Sequence, residues 1–364
     1  MTSKYQDIAN QLDLLLLQME SDGKTKLPSE EDLCRQFACS RQTVRSALSL
    51  LAEQGRIVKK KGSGSYLSEE MPSGNRNILW ITEDQDEYIY PEIVSRLRAL
   101  LKERKYNLMC RSTGGSIHQE SQALLYALSD LPAAVIVEPI SDQVPNPNLS
   151  LISELHAQGV PIIYLFSAYP VPEDAVLITE ENMLGASMLV HHLAESGHRK
   201  IAGLFRIDDS RGLSRYRGCM QTCLDMGLPW NEDSFLFYNA SEQKKLMRGD
   251  RSLLSKFVED HLGKNTAVIC QNDIVAYQLT QLLQIMCIFV PEKISIVSFD
   301  NSYYSTAGKQ RITSLGHSEH AVSDALLHAV LGVVTHRNVK STSLPFTLHV
   351  RKSSTSSRAL LSAN

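Results

Sequence analysis

From residue 77 onward, strand-like and helix-like segments alternate over roughly 275 residues, and this alternation restricts the fold more than any other feature. The strand-like runs are Asn77–Thr82, Asn107–Thr113, Ala133–Glu138, Pro161–Ser167, Val176–Thr179, Lys200–Arg206, Ser234–Tyr238, Thr266–Gln271 and Ser295–Phe299. Amphipathic segments lie between most of them, as in Glu92–Lys105, where Ile93, Leu97, Leu100 and Leu101 share one face. Parallel strands need long crossovers, and helical crossovers cover both faces of a sheet. The pattern therefore predicts an α/β domain over residues 77–352 with parallel sheets, and its length favours two lobes over one. The Ser- and Thr-rich residues 353–364 are expected to be a disordered tail.

The first 68 residues follow a different rule. Residues 4–20 carry Ile8, Leu12, Leu15 and Met19 at helical spacing. Leu27-Pro28-Ser29 breaks that run, and Ser29 is placed to cap a helix from Glu30 to Phe37. Ala38-Cys39 makes a short turn before Ser40, which caps a helix from Arg41 to Gln54 that buries Val44, Ala47, Leu48 and Leu51. Gly55 is placed as its C-cap. Strands Arg56–Lys60 and Ser65–Leu67 follow, joined through Gly62-Ser63-Gly64. This order is that of a winged helix-turn-helix. Residues 69–76 lose all periodicity and read as a linker.

Charge is unevenly spread. The formal net charge is −3, yet Arg41, Arg45, Arg56, Lys59, Lys60 and Lys61 face only Glu53 between residues 41 and 61. A basic stripe there suits a nucleic-acid reader on a larger neutral body, although a solvated helix face would show the same count. The seven cysteines are scattered without a C-x-x-C pair, so neither a disulfide framework nor structural zinc is expected. The longest leucine run, Leu12–Leu17, is too short for a membrane span, and the N-terminus lacks the pattern of a secretory signal. A cytoplasmic protein with reduced thiols is the expectation.

Residues 1–68 resemble the GntR family of winged helix-turn-helix repressors through Leu27-Pro28-Ser29-Glu30, Ser40-Arg41-Gln42-Thr43-Val44-Arg45, Ala47-Leu48, Gly55 and Gly62-Ser63-Gly64-Ser65-Tyr66-Leu67. Arg41 and Arg45 stand four apart at the start of the third helix and so share a face. That end of a recognition helix reaches base edges in the major groove, where arginine pairs with guanine by two hydrogen bonds. Ser40 and Thr43 beside them can bond phosphates. The resemblance implies contacts with operator DNA from Ser40, Arg41, Thr43, Arg45, Lys61 and Gly62. Glu31 stands where several members have arginine, so no contact is carried over from the second helix. The wing glycines do not make a nucleotide-binding loop, because no helix follows them.

Residues 77–352 resemble the LacI/GalR-type effector domain, which shares the fold of periplasmic sugar-binding proteins. The likeness rests on Ala194-Glu195-Ser196-Gly197-His198-Arg199-Lys200-Ile201-Ala202, Ser214-Arg215-Tyr216-Arg217-Gly218, Thr266–Asp273 and Val290–Asn301. The pairing of this sensor with a GntR-type head is similar to the arabinose repressors of Gram-positive bacteria. Tyr88-Ile89-Tyr90-Pro91, Val137-Glu138-Pro139 and Leu204–Asp209 add to that similarity. A polyol binder needs acids, amides, an arginine and an aromatic platform converging beyond strand ends. That chemistry and the likeness together imply Asp86, Tyr90, Glu138, Arg206, Arg215, Asn272 and Asp300 as the candidate effector residues, with Asp86, Glu138 and Arg206 resting mainly on the similarity to the arabinose repressors. The likeness carries Arg215, Asn272 and Asp300 most directly.

Plainer roles fit other residues. Asp273 reads as the N-cap of a helix Ile274–Met286, and His198 as a structural residue bonding loop backbone. His191, His192, His317 and His320 read as solvated or core histidines, since no cysteine or acid at liganding spacing completes a metal site. Tyr303 and Tyr304 suit loop packing as well as a cleft. The reading is thus a sugar-released repressor, homodimeric on a pseudo-palindrome, without cofactor, metal or enzymatic activity, and with L-arabinose as first effector. The alternatives are another pentose, hexose or glycoside, a sugar-binding transport protein, or a regulator-fused enzyme. No nucleophile–base pair, phosphate loop or Schiff-base lysine context supports the last.

The head yields a direct prediction. Arg41→Ala or Arg45→Ala should cost about 1–3 kcal/mol on the specific site, whereas Lys61→Ala should weaken binding to all DNA and flatten its salt dependence. Titration of labelled operator and scrambled DNA at several salt concentrations measures both, and unchanged base preference in Arg41→Ala would overturn the recognition helix.

Overall fold

The computed structural model describes residues 25–53, 57–60, 63–67 and 75–354, with seven further positions between Ile8 and Met19. It divides into two compact units, residues 1–75 and 76–364.

In the first unit, helices Glu30–Gln36 and Arg41–Glu53 form where the caps direct them. Ser29 and Asp32 close a capping box, the Asp32 N–H donating to Ser29 Oγ at 3.2 Å and the Ser29 N–H to Asp32 Oδ2 at 3.3 Å. Ser40 Oγ accepts the Thr43 N–H at 3.2 Å and starts the second helix. Leu12, Leu16, Leu33, Val44 and Ala47 are fully buried at the centre of this unit. Strands β1 (Ile57–Lys60) and β2 (Gly64–Leu67) pair antiparallel, with Ile57 opposite Leu67. Gly55, Lys61, Gly62 and residues 69–74 of the expected linker lie outside the described residues.

The second unit holds two six-stranded sheets. One contains β3 (Asn77–Thr82), β4 (Asn107–Ser112), β5 (Ala134–Val137), β6 (Ile162–Leu165), β7 (Val176–Glu180) and β13 (Thr342–Leu344) in the order β13-β7-β6-β5-β3-β4, all parallel. The other contains β8 (Ile201–Arg206), β9 (Phe235–Tyr238), β10 (Ala267–Cys270), β11 (Ser295–Phe299), β12 (Thr313–Gly316) and β14 (Thr347–His349) in the order β14-β12-β11-β10-β8-β9, with β14 alone antiparallel. The central strands are buried on both faces, which is why they read as unbroken apolar runs. In each sheet the strand order reverses beside the first strand, between β3 and β5 and between β8 and β10. Such reversals open a crevice at the carboxyl ends of the strands. The chain passes between lobes three times, after β7, after β12 and after β13.

Several expectations are corrected. Strands β12, β13 and β14 were not legible, because they are short and β12 carries Leu315 alone among Thr, Ser and Gly. Its hydroxyls stay satisfied inside the core: Thr313 Oγ1 donates to the Arg351 carbonyl at 2.9 Å, and Ser314 Oγ to Asp273 Oδ1 at 2.7 Å. Tyr90 opens the helix Tyr90–Glu103 instead of preceding it on a loop. Asn272, not Asp273, caps the helix Asp273–Ile285: its extended backbone lets Oδ1 accept the Val275 N–H at 3.1 Å. Asp273 is fully buried and accepts from the hydroxyls of Ser298, Ser302 and Ser314 and from the Ser302 N–H. His198 bonds the side chains of Thr266 and Ser295 rather than loop backbone, both at 2.9 Å. Ser353 and Ser354 do not belong to a disordered tail. They are buried in a short 3-10 turn, where Ser353 Oγ accepts the Thr313 N–H at 2.8 Å; residues 355–364 lie outside the described residues.

The helix Ser210–Asp225 lies against the end of β8 so closely that a Cβ on Gly212 would sit 1.8 Å from the Arg206 carbonyl oxygen. Gly212→Ala should therefore push this helix off the sheet and destabilise the domain by about 1–3 kcal/mol or more. Urea unfolding of parent and variant measures this, and equal midpoints would contradict the close approach.

Candidate functional site

Two surfaces concentrate chemistry, one on each unit. On the head, Arg41 and Arg45 project into solvent from one helical face. Each meets an acid of the preceding helix: Arg41 lies 3.5 Å from Glu31, and Arg45 donates to Glu30 at 2.8 Å. Exposed pairs of this kind contribute roughly 0–1 kcal/mol, so a phosphate or a guanine edge can replace them. Ser40 and Thr43 hydroxyls lie 2.8 Å apart at the same helix start. Lys60 Nζ sits 4.9 Å from the centre of the Tyr66 ring. Ser40, Arg41, Thr43 and Arg45 thus share one exposed edge, while Lys61 and Gly62 fall outside the described residues.

On the second unit, a cleft of about 290 Å³ opens at the carboxyl ends of both sheets. Of the expected effector residues, Tyr90, Arg206, Arg215, Asn272 and Asp300 line it together. Two do not. Asp86 is exposed on the loop after β3, where its N–H turns back to Asp84 Oδ1 at 3.0 Å. Glu138 lies buried behind the lining, taking the hydroxyls of Tyr90 and Thr82 (the latter at 2.7 Å) and the Glu83 N–H at 3.3 Å. It braces the site from behind through those bonds.

Arg215 is the hub. Its guanidinium, 2% exposed, donates to Asn182 Oδ1 at 2.7 Å, to the Gln271 carbonyl, to Glu180 Oε2 at 3.1 Å and to Asp300 Oδ1 at 3.1 Å. Its carbon centre lies 4.2 Å from the Phe299 ring. Burial works against its charge, but Asp300 and Glu180 outweigh that and raise its pKa. Across the cleft the Tyr88 hydroxyl donates to Asp300 Oδ2 at 2.6 Å. Tyr88 and Asp300 both stand at positive φ, 61° and 93°, a conformation held only where surrounding contacts impose it. Arg206 donates to Asp208 at 2.7 Å and lies 3.7 Å from Glu83 on the other lobe.

The sequence reading missed Glu83, Tyr88, Asp209, Arg211 and Gln271, all on the cleft wall. Arg211 donates to Asp209 at 3.0 Å and lies 3.6 Å from Glu138. Against the effect of burial, Arg211 and Arg206 hold the Asp209 carboxyl at about 2. Gln271 is buried, and its Oε1 has no hydrogen-bond partner among the described residues, leaving an acceptor in want of a donor. The density of Asp and Arg in Arg206–Arg215 was the available signal for Arg211 and Asp209. Among the described residues no group of His, Cys, Asp and Glu could hold a metal ion, and no helix is long and apolar enough to cross a membrane.

Comparison with known proteins adds the following. Residues 4–67 match the bacterial regulatory proteins of the gntR family, and residues 190–354 match a periplasmic binding protein-like domain. An arabinose metabolism transcriptional repressor of Halalkalibacterium halodurans is 29% identical over 324 residues, covering 87% of this chain and 85% of that one. One from Geobacillus stearothermophilus is 28% identical over 341 residues, covering 92% of each. Among solved structures, a periplasmic binding protein/LacI transcriptional regulator from Alkaliphilus metalliredigens complexed with D-xylulofuranose superposes with a TM-score of 0.65 at 18% identity, over 77% of this chain and 99% of that one. The transcription regulator CcpA of Lactococcus lactis superposes with a TM-score of 0.68 at 16% identity, over 77% and 99%. These two speak to the fold alone.

Replacing Arg215 with Met should leave the buried Glu180 with His317 alone and the partly buried Asp300 with the Tyr88 hydroxyl, both without the guanidinium. Removing one partner of such a pair typically costs about 3–5 kcal/mol. Denaturant unfolding at neutral pH measures the loss, and a stability equal to the parent's would mean the network does not form.

Proposed function

We propose that this chain, which joins a gntR-family DNA-binding domain to a periplasmic-binding-protein-like domain, is a transcriptional repressor of sugar-utilisation genes, released from its operator by a small neutral sugar, L-arabinose first. The observation that carries the reading is the make-up of the cleft. Five acids (Glu83, Asp84, Glu87, Asp209, Asp300) face five cations (Arg206, Arg211, Arg215, Lys244, Arg248), so the lining is electrically balanced. A phosphorylated or acidic ligand would need surplus positive charge, whereas hydroxyls that both donate and accept suit mixed donors and acceptors. Tyr88 and Tyr90 supply ring faces beside these polar groups.

The relatives named as arabinose metabolism repressors, similar over most of their length, support the choice of sugar. They also favour a regulator over an enzyme, and a cytoplasmic site of action follows from that role. A sugar bound between the lobes shifts their equilibrium by its difference in affinity for the two arrangements, and operator affinity shifts with it. One recognition helix reads too few base pairs for genomic specificity, so the working form is a two-fold dimer on a pseudo-palindrome.

Calorimetric titration of the full chain with L-arabinose, D-xylose and D-galactose tests the effector. L-arabinose is expected to bind and to release operator DNA, and Asp300→Asn to bind it at least about tenfold more weakly while keeping its grip on the operator. Binding of another of the sugars alone would reassign the effector. Silence toward all three would remove this reading.

A further inference from the structure

His317 is the residue the site does not explain. It follows β12, on the second passage between lobes, and its ring is largely buried against Phe346, centroid to centroid at 4.5 Å. Nδ1 lies 2.9 Å from the Pro345 carbonyl, on the third passage. Nε2 lies 2.9 Å from Glu180 Oε1, at the end of β7 where the first passage begins. A carbonyl and an ionised carboxylate only accept, so with Glu180 charged both contacts are hydrogen bonds when both ring nitrogens carry a proton, as in the imidazolium. This one side chain therefore ties together all three connections about which the lobes can reorient. The same Glu180 takes Arg215 on its other oxygen at 3.1 Å, and Arg215 in turn holds Asp300.

We propose that His317 is a protonated hinge pin, a positioning residue that joins the three interlobe passages and, through Glu180 and Arg215, sets Asp300 for the effector, so that effector affinity falls as pH rises through the titration of this imidazole. The effector half rests on the function proposed above; the pin itself does not. The charged groups that act on the ring are Glu180 from β7 and Asp300 after β11, while Arg215 and Arg211 from the helix Ser210–Asp225 act on Glu180 behind it. Burial opposes the imidazolium, but the hydrogen bond to Glu180 and its charge prevail and raise the pKa above the ordinary histidine value. A raised value means the pin's contribution to stability is complete below the unfolded-state pKa of about 6.5 and is lost as pH rises through the folded one.

The test uses the full chain labelled with 15N-histidine. Long-range proton–nitrogen spectra, assigned with His317→Gln, should show the His317 ring with both nitrogens protonated at pH 7 and titrating above the ordinary range. A neutral tautomer at pH 7 would overturn the pin. Affinity for L-arabinose should drop by about tenfold between pH 6 and pH 9 in the parent, the loss of one charge-assisted bond, and stay level in His317→Gln and in the charge-retaining His317→Lys. An imidazolium ring with a pH-independent parent affinity would overturn the positioning role. A parent that binds no sugar would remove the proposed effector, while the nitrogen shifts and the alkaline loss of stability in the parent, absent from His317→Gln, would still decide the pin.

Discussion

The cleft of the second unit is organised around the buried guanidinium of Arg215. Arg215 comes from a helix of one lobe and meets Glu180 at the end of a strand of the other, with Asp300 and Asn182 on its remaining donors. A guanidinium taken out of water is expensive unless every donor finds an acceptor, and its planar fork allows several to be met at once. The cleft, the passages between lobes and the orientation of Asp300 all follow from how those donors are met. Glu180 is drawn well below the usual carboxylate range despite its burial, because His317 and Arg215 both stabilise the charged form. The interlobe region is thus an ionic structure with little slack.

Topology explains why that ionic structure sits where it does. Both sheets reverse strand order beside their first strand, and the segments after β3, β8, β10 and β11 line one crevice. Backbone groups at strand ends cannot all be satisfied by the sheet, and charged side chains gather there. Bonds already cross the crevice, from Tyr88 to Asp300, from the Ser141 hydroxyl to Asp208 at 2.7 Å and from Lys244 to the Gly115 carbonyl at 2.9 Å. A ligand entering this space would exchange such bonds for its own.

The head works by the opposite rule. Its arginines are exposed and their partners, Glu30 and Glu31, are equally wet, so those pairs contribute little and yield readily. Stability there comes from the apolar centre around Leu33, Val44 and Leu48, and the reading face is left free to serve recognition. Glu31, which stands where several members of the resembled family have arginine, lies 3.5 Å from Arg41 in such an exposed pair.

How much was legible divides along a physical line. Local rules are written in neighbouring residues: Ser29 and Ser40 as caps, the apolar runs of the central strands, the wing, and the paired arginines at the start of the third helix. So were the cleft residues that follow directly on strand ends, Arg206, Asn272 and Asp300. Where two chemically similar residues stood together the choice was hidden, since only backbone angles decide that Asn272 caps while Asp273 is buried among three serines. Asp86 and Glu138 were placed on the cleft by sequence adjacency, but one faces solvent and the other lies beneath Tyr90. The short strands β12, β13 and β14, the reach of Tyr88 to Asp300 across 212 positions, and the bonds from His317 to Glu180 and Pro345 depend on segments distant in the chain. The sequence by itself determined the elements and their order, because helix and strand periodicity are local. Only the tertiary structure decided which charges share a buried site, because that is set by which strand ends the two sheets bring together.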